Sequence, residues 1–270
     1  MRKKSEIERG FRKDEFFGWR AADGMADNYI QLCESAVADD LIFDNFKSRP
    51  EFKTIMEHVP RDLGKAYLDD ILRTNPSILR EASLFISAND SIGSPRKESY
   101  EEYDIEGMSP TTARYMKVLS DLVTLYGTLD NLNIVEIGGG YGGLALVISK
   151  KYNFRNYYNI DLKEMAKLSK KYCLVSGLNN FHSVYPDQLD KLDNVKIDLL
   201  ISNYAYSECN HETQDIYNDK ILSRSGRGYI THNTSEERQQ RTVSVIKNYD
   251  NFRVFGKDFC RKGHPIYVWG

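Results

Sequence analysis

The sequence predicts an α/β protein: a doubly wound, mainly parallel sheet of seven strands over residues 131–270, its last hairpin antiparallel, preceded by a helical cap and lid over residues 1–130. Three observations carry this. Up to residue 130 apolar residues recur at spacings of three and four, as in Ile30, Cys33 and Val37, then Leu68, Ile71 and Leu72, with almost no strand signal. From Asn131 onward, short apolar runs alternate with helical segments, the pattern of successive βαβ units. The last two runs stand too close together for a helix between them, so they are expected to pair as a hairpin.

The clearest helix of the first half opens at Ser109-Pro110, an N-cap followed by proline at the first helical position. It ends at Gly127 and turns Met116, Leu119, Val123 and Tyr126 inward. Ahead of it, Asp90 to Met108 is rich in Ser, Gly, Pro and charge and reads as a long loop, a lid. The strands expected in the second half are Asn133 to Ile137, Asn156 to Ile160, Phe181 to Val184, Ile197 to Ser202, Gly228 to Thr231, Phe252 to Phe255 and Pro265 to Trp269. Between them lie helices over 143–152, 163–175, 210–222 and 235–248, the last opened by the capping box Thr234-Ser235-Glu236-Glu237.

Composition narrows the classes of function. With 41% apolar and 12% aromatic residues, the chain can bury a substantial core. Its 37 basic residues balance 39 acidic ones, so no global field gathers nucleic acid or anionic lipid, and a small-molecule partner rather than nucleic acid is expected. Cys33, Cys173, Cys209 and Cys260 lack the spacing of a zinc cage or a disulfide framework and read as cytosolic thiols. The basic start, Met1 to Gly10, runs into Phe11-Arg12-Lys13-Asp14-Glu15 rather than an apolar segment, unlike a signal peptide. No apolar run approaches the roughly 18 residues of a membrane helix, so a cytoplasmic protein without membrane insertion is expected. A homodimer is left open.

The chemistry concentrates at Val135-Glu136-Ile137-Gly138-Gly139-Gly140-Tyr141-Gly142-Gly143, where an apolar strand ends in a carboxylate, a glycine cluster and an apolar helix. Glycines let the backbone turn tightly and approach a ligand closely. Gly138, Gly140 and Gly143 also satisfy the dinucleotide fingerprint, so the glycines alone do not choose between adenosine cofactors. Glu136 does, since an acid two residues before the first glycine repels a pyrophosphate but suits the ammonium of a methionine moiety. Asp161, nineteen residues beyond Gly142 at the end of the next strand, can accept both ribose hydroxyls. S-adenosylmethionine is therefore the expected cofactor. An NAD-dependent oxidoreductase, which shares the turn and the second acid, is the rival. A third reading is a non-catalytic partner protein that binds the same cofactor.

The fourth strand of the sheet runs into Asn203-Tyr204-Ala205-Tyr206-Ser207-Glu208, beyond a strand's carboxyl end, where ligands of doubly wound sheets lie. Methyl transfer to a hydroxyl needs alignment and a base for the proton. Glu208 and His211, three apart at the start of a helix, are expected to share a face as base and orienting partner. His232, after the fifth strand, can reach the same cleft.

Four stretches resemble the bacterial sugar O-methyltransferases encoded with polysaccharide-biosynthesis enzymes: Ala88 to Pro95, Ser109 to Tyr115, Val135 to Gly143, and Ser202 to Glu208 followed by Ser223 to Tyr229. The resemblance implies a Rossmann-like, class I methyltransferase that moves a methyl group to a hydroxyl of a sugar or glycan precursor in surface-polysaccharide biosynthesis. It also implies cofactor contacts from Glu136, Gly138, Gly140, Gly142, Asp161 and Asn203, with Glu208 and Tyr206 at the acceptor. Arg114 and Tyr115 would lie on a helix covering the cofactor, and Asp90 on the lid, as substrate-binding residues with His232. Related enzymes that use a divalent metal carry paired acids near the fifth strand. Here Thr231-His232-Asn233-Thr234 stands in that place, so metal independence is expected.

Overall fold

The computed structural model describes residues 25–233, 236–258 and 264–270. The first half contains helices α1 (Met25–Ala38), α2 (Asp40–Phe43), α3 (Pro50–Ile55), α4 (Arg61–Thr74), α5 (Pro76–Arg80) and α6 (Ala82–Asn89), then strands β1 (Glu98–Tyr100) and β2 (Ile105–Met108), and helix α7 (Pro110–Tyr126). The second half alternates β3 (Asn133–Ile137), α8 (Gly143–Ser149), β4 (Asn156–Ile160), α9 (Lys163–Val175), β5 (Phe181–Val184), β6 (Leu199–Asn203), the short α10 (Ala205–Glu208), α11 (His211–Lys220), β7 (Gly228–Thr231), α12 (Glu236–Ile246), β8 (Arg253–Asp258) and β9 (His264–Trp269).

The sheet has the order β5-β4-β3-β6-β7-β9-β8. The five strands from β5 to β7 run parallel, while β9 lies antiparallel between β7 and β8. This is the doubly wound sheet with a terminal antiparallel hairpin that the alternation predicts. The central strand β3 is buried along its whole length, as a parallel strand covered on both faces must be. Strand order reverses between β3 and β6, so the crevice beyond their carboxyl ends is where such a sheet binds ligands.

The helix α7 has the caps its sequence announces. Ser109 Oγ accepts from Thr111 N at 3.2 Å, and Gly127 follows the last turn at φ +73°. It is buried well beyond the stripe of one face, because α4 packs on one side of it and α8 on another. One hydrophobic cluster runs from Ile30 and Phe46 of the first half through Met116 on α7 to Leu146 and Leu168 of the second half.

Two expectations need correction. The first half is not free of strands, because within the segment expected as a loop β1 and β2 form an antiparallel pair joining Glu98 to Met108 and Tyr100 to Ile105. Only Tyr100, Ile105 and Met108 of this pair are buried, too few to give a readable alternation. The strand expected from Ile197 begins at Leu199, with Ile197 making only an isolated bridge to Ser225. Thr234 and Ser235 of the expected capping box, Cys260, and the first ten residues lie outside the described residues. Among the described residues no helix is long and apolar enough to cross a membrane.

Candidate functional site

At the end of β3 the chain turns through Gly138, whose φ of +73° is left-handed backbone that favours glycine. A Cβ there would stand 1.9 Å from that of Ala205, so the turn and the start of α10 are packed backbone against side chain. At Gly139 the need is space: a Cβ would lie 2.3 Å from a Glu136 carboxylate oxygen and 2.5 Å from Asn159 Oδ1.

The loop is pinned by two side chains of β4 and its end. Gly139 N donates to Asn159 Oδ1 at 2.9 Å, Asn159 Nδ2 donates to Gly140 O at 3.1 Å, and Gly140 N donates to Asp161 Oδ2 at 2.9 Å. Asp161 Oδ1 also accepts from Leu162 N at 2.7 Å. Asn159 was not among the residues singled out from the sequence. The period-two alternation that puts it on the face of Asp161 could have found it.

Glu136 is buried, and loss of water pushes its carboxyl up to about 7. Asp161 close by raises it further, while donors on Tyr157 and Asn203 and the positive charge of Arg114 oppose the shift. The Tyr157 hydroxyl donates to Glu136 at 2.6 Å. Burial also pushes Asp161 to about 7 against its two backbone donors. Two buried carboxylates poised near neutrality beside one glycine turn form a site whose ionised state calls for a cation or further donors.

Residues of the first half pack against this turn. The Met56 methyl lies where a Cβ of Gly140 would point, at 2.2 Å. Tyr141 keys the two halves together: its hydroxyl donates to Glu57 at 3.1 Å and accepts from Asn89 Nδ2 at 3.3 Å, and its ring lies 4.4 Å below the Lys47 ammonium. Lys47 donates in turn to the Tyr172 hydroxyl at 3.1 Å, and burial draws its ammonium down to about 8. Sequence reasoning missed Lys47, Glu57 and Tyr141, whose partners lie far away along the chain.

The remaining candidates separate. Asp90 accepts from Ser109 N at 2.7 Å and from Thr112 Oγ1 at 2.6 Å, so both its oxygens fasten the start of α7. Tyr115 is buried against the loop, 6.1 Å from the ring of Tyr141, with Arg114 beside it and partly exposed. Asn203, half-buried at the end of β6, accepts from Thr231 Oγ1 at 3.1 Å. Tyr206 turns into the core below the sheet and donates to Asn218 at 2.7 Å. His232 is buried between Thr242 Oγ1 at 2.9 Å and Asn233 O at 3.0 Å.

Glu208 and His211 do not share a helical face. Glu208 ends α10, Cys209 and Asn210 are extended, and Asn210 caps a new helix by accepting from Thr213 N at 2.8 Å, so His211 belongs to α11. Both side chains are exposed, and Glu208 accepts from Asn233 Nδ2 at 3.2 Å. No group of three or more His, Cys, Asp or Glu that could hold a metal ion stands among the described residues.

Tyr204, just past the end of β6, is a residue that the sequence did not single out. It leaves β6 at φ +72° and ψ −35°, a conformation that costs a tyrosine about 1–3 kcal/mol. Its ring meets that of His264 edge to face at 5.2 Å. If the backbone carries this strain, Tyr204→Gly should be more stable than Tyr204→Ala by about 1 kcal/mol, the reverse of the usual order. Paired denaturant melts check this, and an alanine variant at least as stable as the glycine one would show that the turn is unstrained.

No family model matches the chain. Ribosomal RNA small subunit methyltransferase A of Borreliella burgdorferi is 29% identical to it over 129 residues, 46% of this chain and 43% of that protein. The same enzyme of Borreliella afzelii matches to the same extent, so the chain spans less than half the length of these relatives. Among solved structures, M. capricolum TrmK in complex with S-adenosylhomocysteine has a TM-score of 0.39 at 15% identity, covering 56% of this chain and 65% of that one. An rRNA methylase from Streptococcus thermophilus gives 0.40 at 17%, covering 52% and 86%. The expectation of a small sugar-like acceptor with nucleic acid excluded is overturned here, since the named relatives are methyltransferases of ribosomal RNA. The exclusion rested on net charge, which averages over the surface and says nothing of a local contact patch.

Proposed function

We propose that this chain is an S-adenosylmethionine-dependent methyltransferase whose cofactor lies across the turn after β3, between Glu136 and Asp161. The observation that carries the reading is the pair of buried carboxylates on either side of a glycine turn at the switch point of a doubly wound sheet. A dinucleotide would bring a pyrophosphate against Glu136, whereas S-adenosylmethionine brings an ammonium and a sulfonium. The residues fit that group: Glu136 would hold the ammonium, Asp161 has lone pairs left for ribose hydroxyls, and Asn203 stands beside Glu136. The similarity to ribosomal RNA methyltransferases supports the same cofactor.

The bound cofactor supplies an electrophilic methyl group, and the chain's own work is alignment, exclusion of water and removal of a proton. Met56 and Tyr141 shield the turn from solvent. The acceptor would approach past Asn203, Tyr204 and Glu208, where Glu208 is an exposed carboxylate that can take a proton.

The test is calorimetric titration with S-adenosylmethionine at pH 6 and pH 8. If only ionised Glu136 binds the ammonium, a carboxyl titrating at about 7 leaves affinity about tenfold weaker at pH 6. An affinity that is flat across this interval, or that rises toward acid, removes Glu136 from the site. Incubation with labelled cofactor and cell extract, fractionated into RNA and glycan precursors, then shows which acceptor carries the methyl group.

A further inference from the structure

Tyr141 stands inside the glycine turn, between Gly140 and Gly142, yet its side chain is wholly buried among rings from elsewhere. Phe46 and Phe52 of the first half lie 5.8 Å from it and Tyr172 of α9 lies 5.1 Å away, centroid to centroid. The ammonium of Lys47, on the single helical turn Phe46–Ser48, is buried against two of these rings, 4.4 Å from the centroid of Tyr141 and 4.6 Å from that of Tyr172. It donates to Asn89 O and, at 3.1 Å, to the Tyr172 hydroxyl, both uncharged acceptors. The far end of the Tyr141 ring is held as well: its hydroxyl donates to one oxygen of buried Glu57, whose other oxygen accepts from Ser109 Oγ at 3.1 Å. A charge taken this far from water is costly, and an apolar side chain would fill the same space without that cost. What the ammonium adds is a directional attraction to a ring face, which is stronger where water is excluded.

On its other side the turn is pinned by Asn159 and Asp161, through Gly139 N and Gly140 N. We propose that Lys47 and Glu57 are positioning residues for the cofactor: by gripping the ring and the hydroxyl of Tyr141, they hold the glycine turn in the shape that binds S-adenosylmethionine. Both act through Tyr141 rather than on the cofactor, and the assignment rests on the methyltransferase reading above. The charge on Lys47 gives this grip a signature that packing alone would lack. Burial draws the ammonium down to about 8, and the titratable and charged groups facing it are Glu57, Asp90 and Cys173, which favour its charged form, and Lys97, which opposes it. Burial pushes the hydroxyls of Tyr141 and Tyr172 and the Cys173 thiol well up, so these stay neutral while Lys47 titrates. The hold on the ring is therefore lost as pH rises through about 8.

The experiment is calorimetric titration of the whole 270-residue chain with S-adenosylmethionine between pH 7 and pH 9.5, wild type beside Lys47→Met. At pH 7 wild type should bind about tenfold more tightly, part of what a desolvated cation over a ring contributes. By pH 9.5 the two affinities should converge. Taking their ratio at each pH cancels the cofactor's own ammonium, which titrates in the same range. Tyr141→Leu, which removes the ring face, should behave as Lys47→Met does, and it carries the comparison if thermal melts show that Lys47→Met does not fold. Tyr141→Phe keeps the face and loses only the bond to Glu57, so it should bind about threefold less tightly than wild type at every pH. Equal affinities at pH 7, or a ratio of wild type to Lys47→Met and Tyr141→Leu that does not change with pH, overturns the assignment. Wild-type protein that binds no S-adenosylmethionine fails the methyltransferase reading itself, whereas wild type and variants that bind alike fail only the grip on Tyr141.

Discussion

Asp161→Ala is expected to abolish measurable binding of S-adenosylmethionine while leaving a folded protein. The side chain has two duties. Its oxygens accept from Gly140 N and Leu162 N, which fixes the turn, and the lone pairs left over face the place proposed for the ribose. Removing it strands two backbone donors, at a cost of about 1–3 kcal/mol each. It also removes a carboxylate that burial has pushed up to about 7, which offsets part of that loss. The fold therefore loses less than the two stranded donors alone would cost, but the site loses its acceptor and the shape of its loop together, so affinity should fall at least a hundredfold, about 2.7 kcal/mol or more. Asp161→Asn keeps one acceptor and presents an amide where an acceptor is needed, so it should fall between the two. Calorimetry on variants shown to be folded by near-ultraviolet circular dichroism decides the matter. Wild-type affinity in Asp161→Ala would place the cofactor elsewhere.

The sheet was largely legible because its signals are local. The runs Asn133–Ile137, Asn156–Ile160, Phe181–Val184 and Gly228–Thr231 are strands with the expected ends, since each is bounded by turn residues or a helix start. Glu136 and Asp161 were legible for the same reason: they sit at fixed offsets from the glycines. The rest depends on contacts between segments far apart. Lys47 meets Tyr172 and Glu57 meets Tyr141, and neither lysine nor glutamate carries a neighbourhood that distinguishes it from a surface charge. Tyr206 and His232 were placed at the cleft by proximity to strand ends, but a turn also decides which face a side chain takes. At Tyr204 the left-handed backbone redirects the chain, and Tyr206 goes to the core. Glu208 and His211 do not share a face because Asn210 caps a new helix, while Glu208 ends the short helix before it.

Lys117→Ala is expected to cost the fold about 3–5 kcal/mol, the largest effect on stability of any single charge removal here. The ammonium lies 2.6 Å from both oxygens of Asp121 and 3.2 Å from Asp70, all three side chains buried, and the Tyr229 hydroxyl donates to Asp121 at 2.9 Å. One lysine thus joins α4, α7 and β7. Without it two carboxylates face each other in the interior with only Arg73 at the surface end, where it pairs with Asp70. Burial already holds the Asp121 carboxyl above its ordinary value and loss of the lysine charge would raise it further, so the deficit should grow as pH rises and shrink in acid, where that carboxyl is neutral in either state. Replacing the charges together, as in Lys117→Met with Asp121→Leu and Asp70→Leu, should restore most of the loss, because apolar packing substitutes for a buried ion group at little net cost. Urea melts at pH 4.5 and pH 7.5 separate these outcomes. A loss below 1 kcal/mol for Lys117→Ala, or one independent of pH, would show that water reaches the triad. The same melts bear on the site, because α7 carries Arg114 and Tyr115 against the glycine turn: if the triad seats that helix, the destabilised variant should also bind cofactor less tightly at pH 7.5 and regain affinity in the triple replacement.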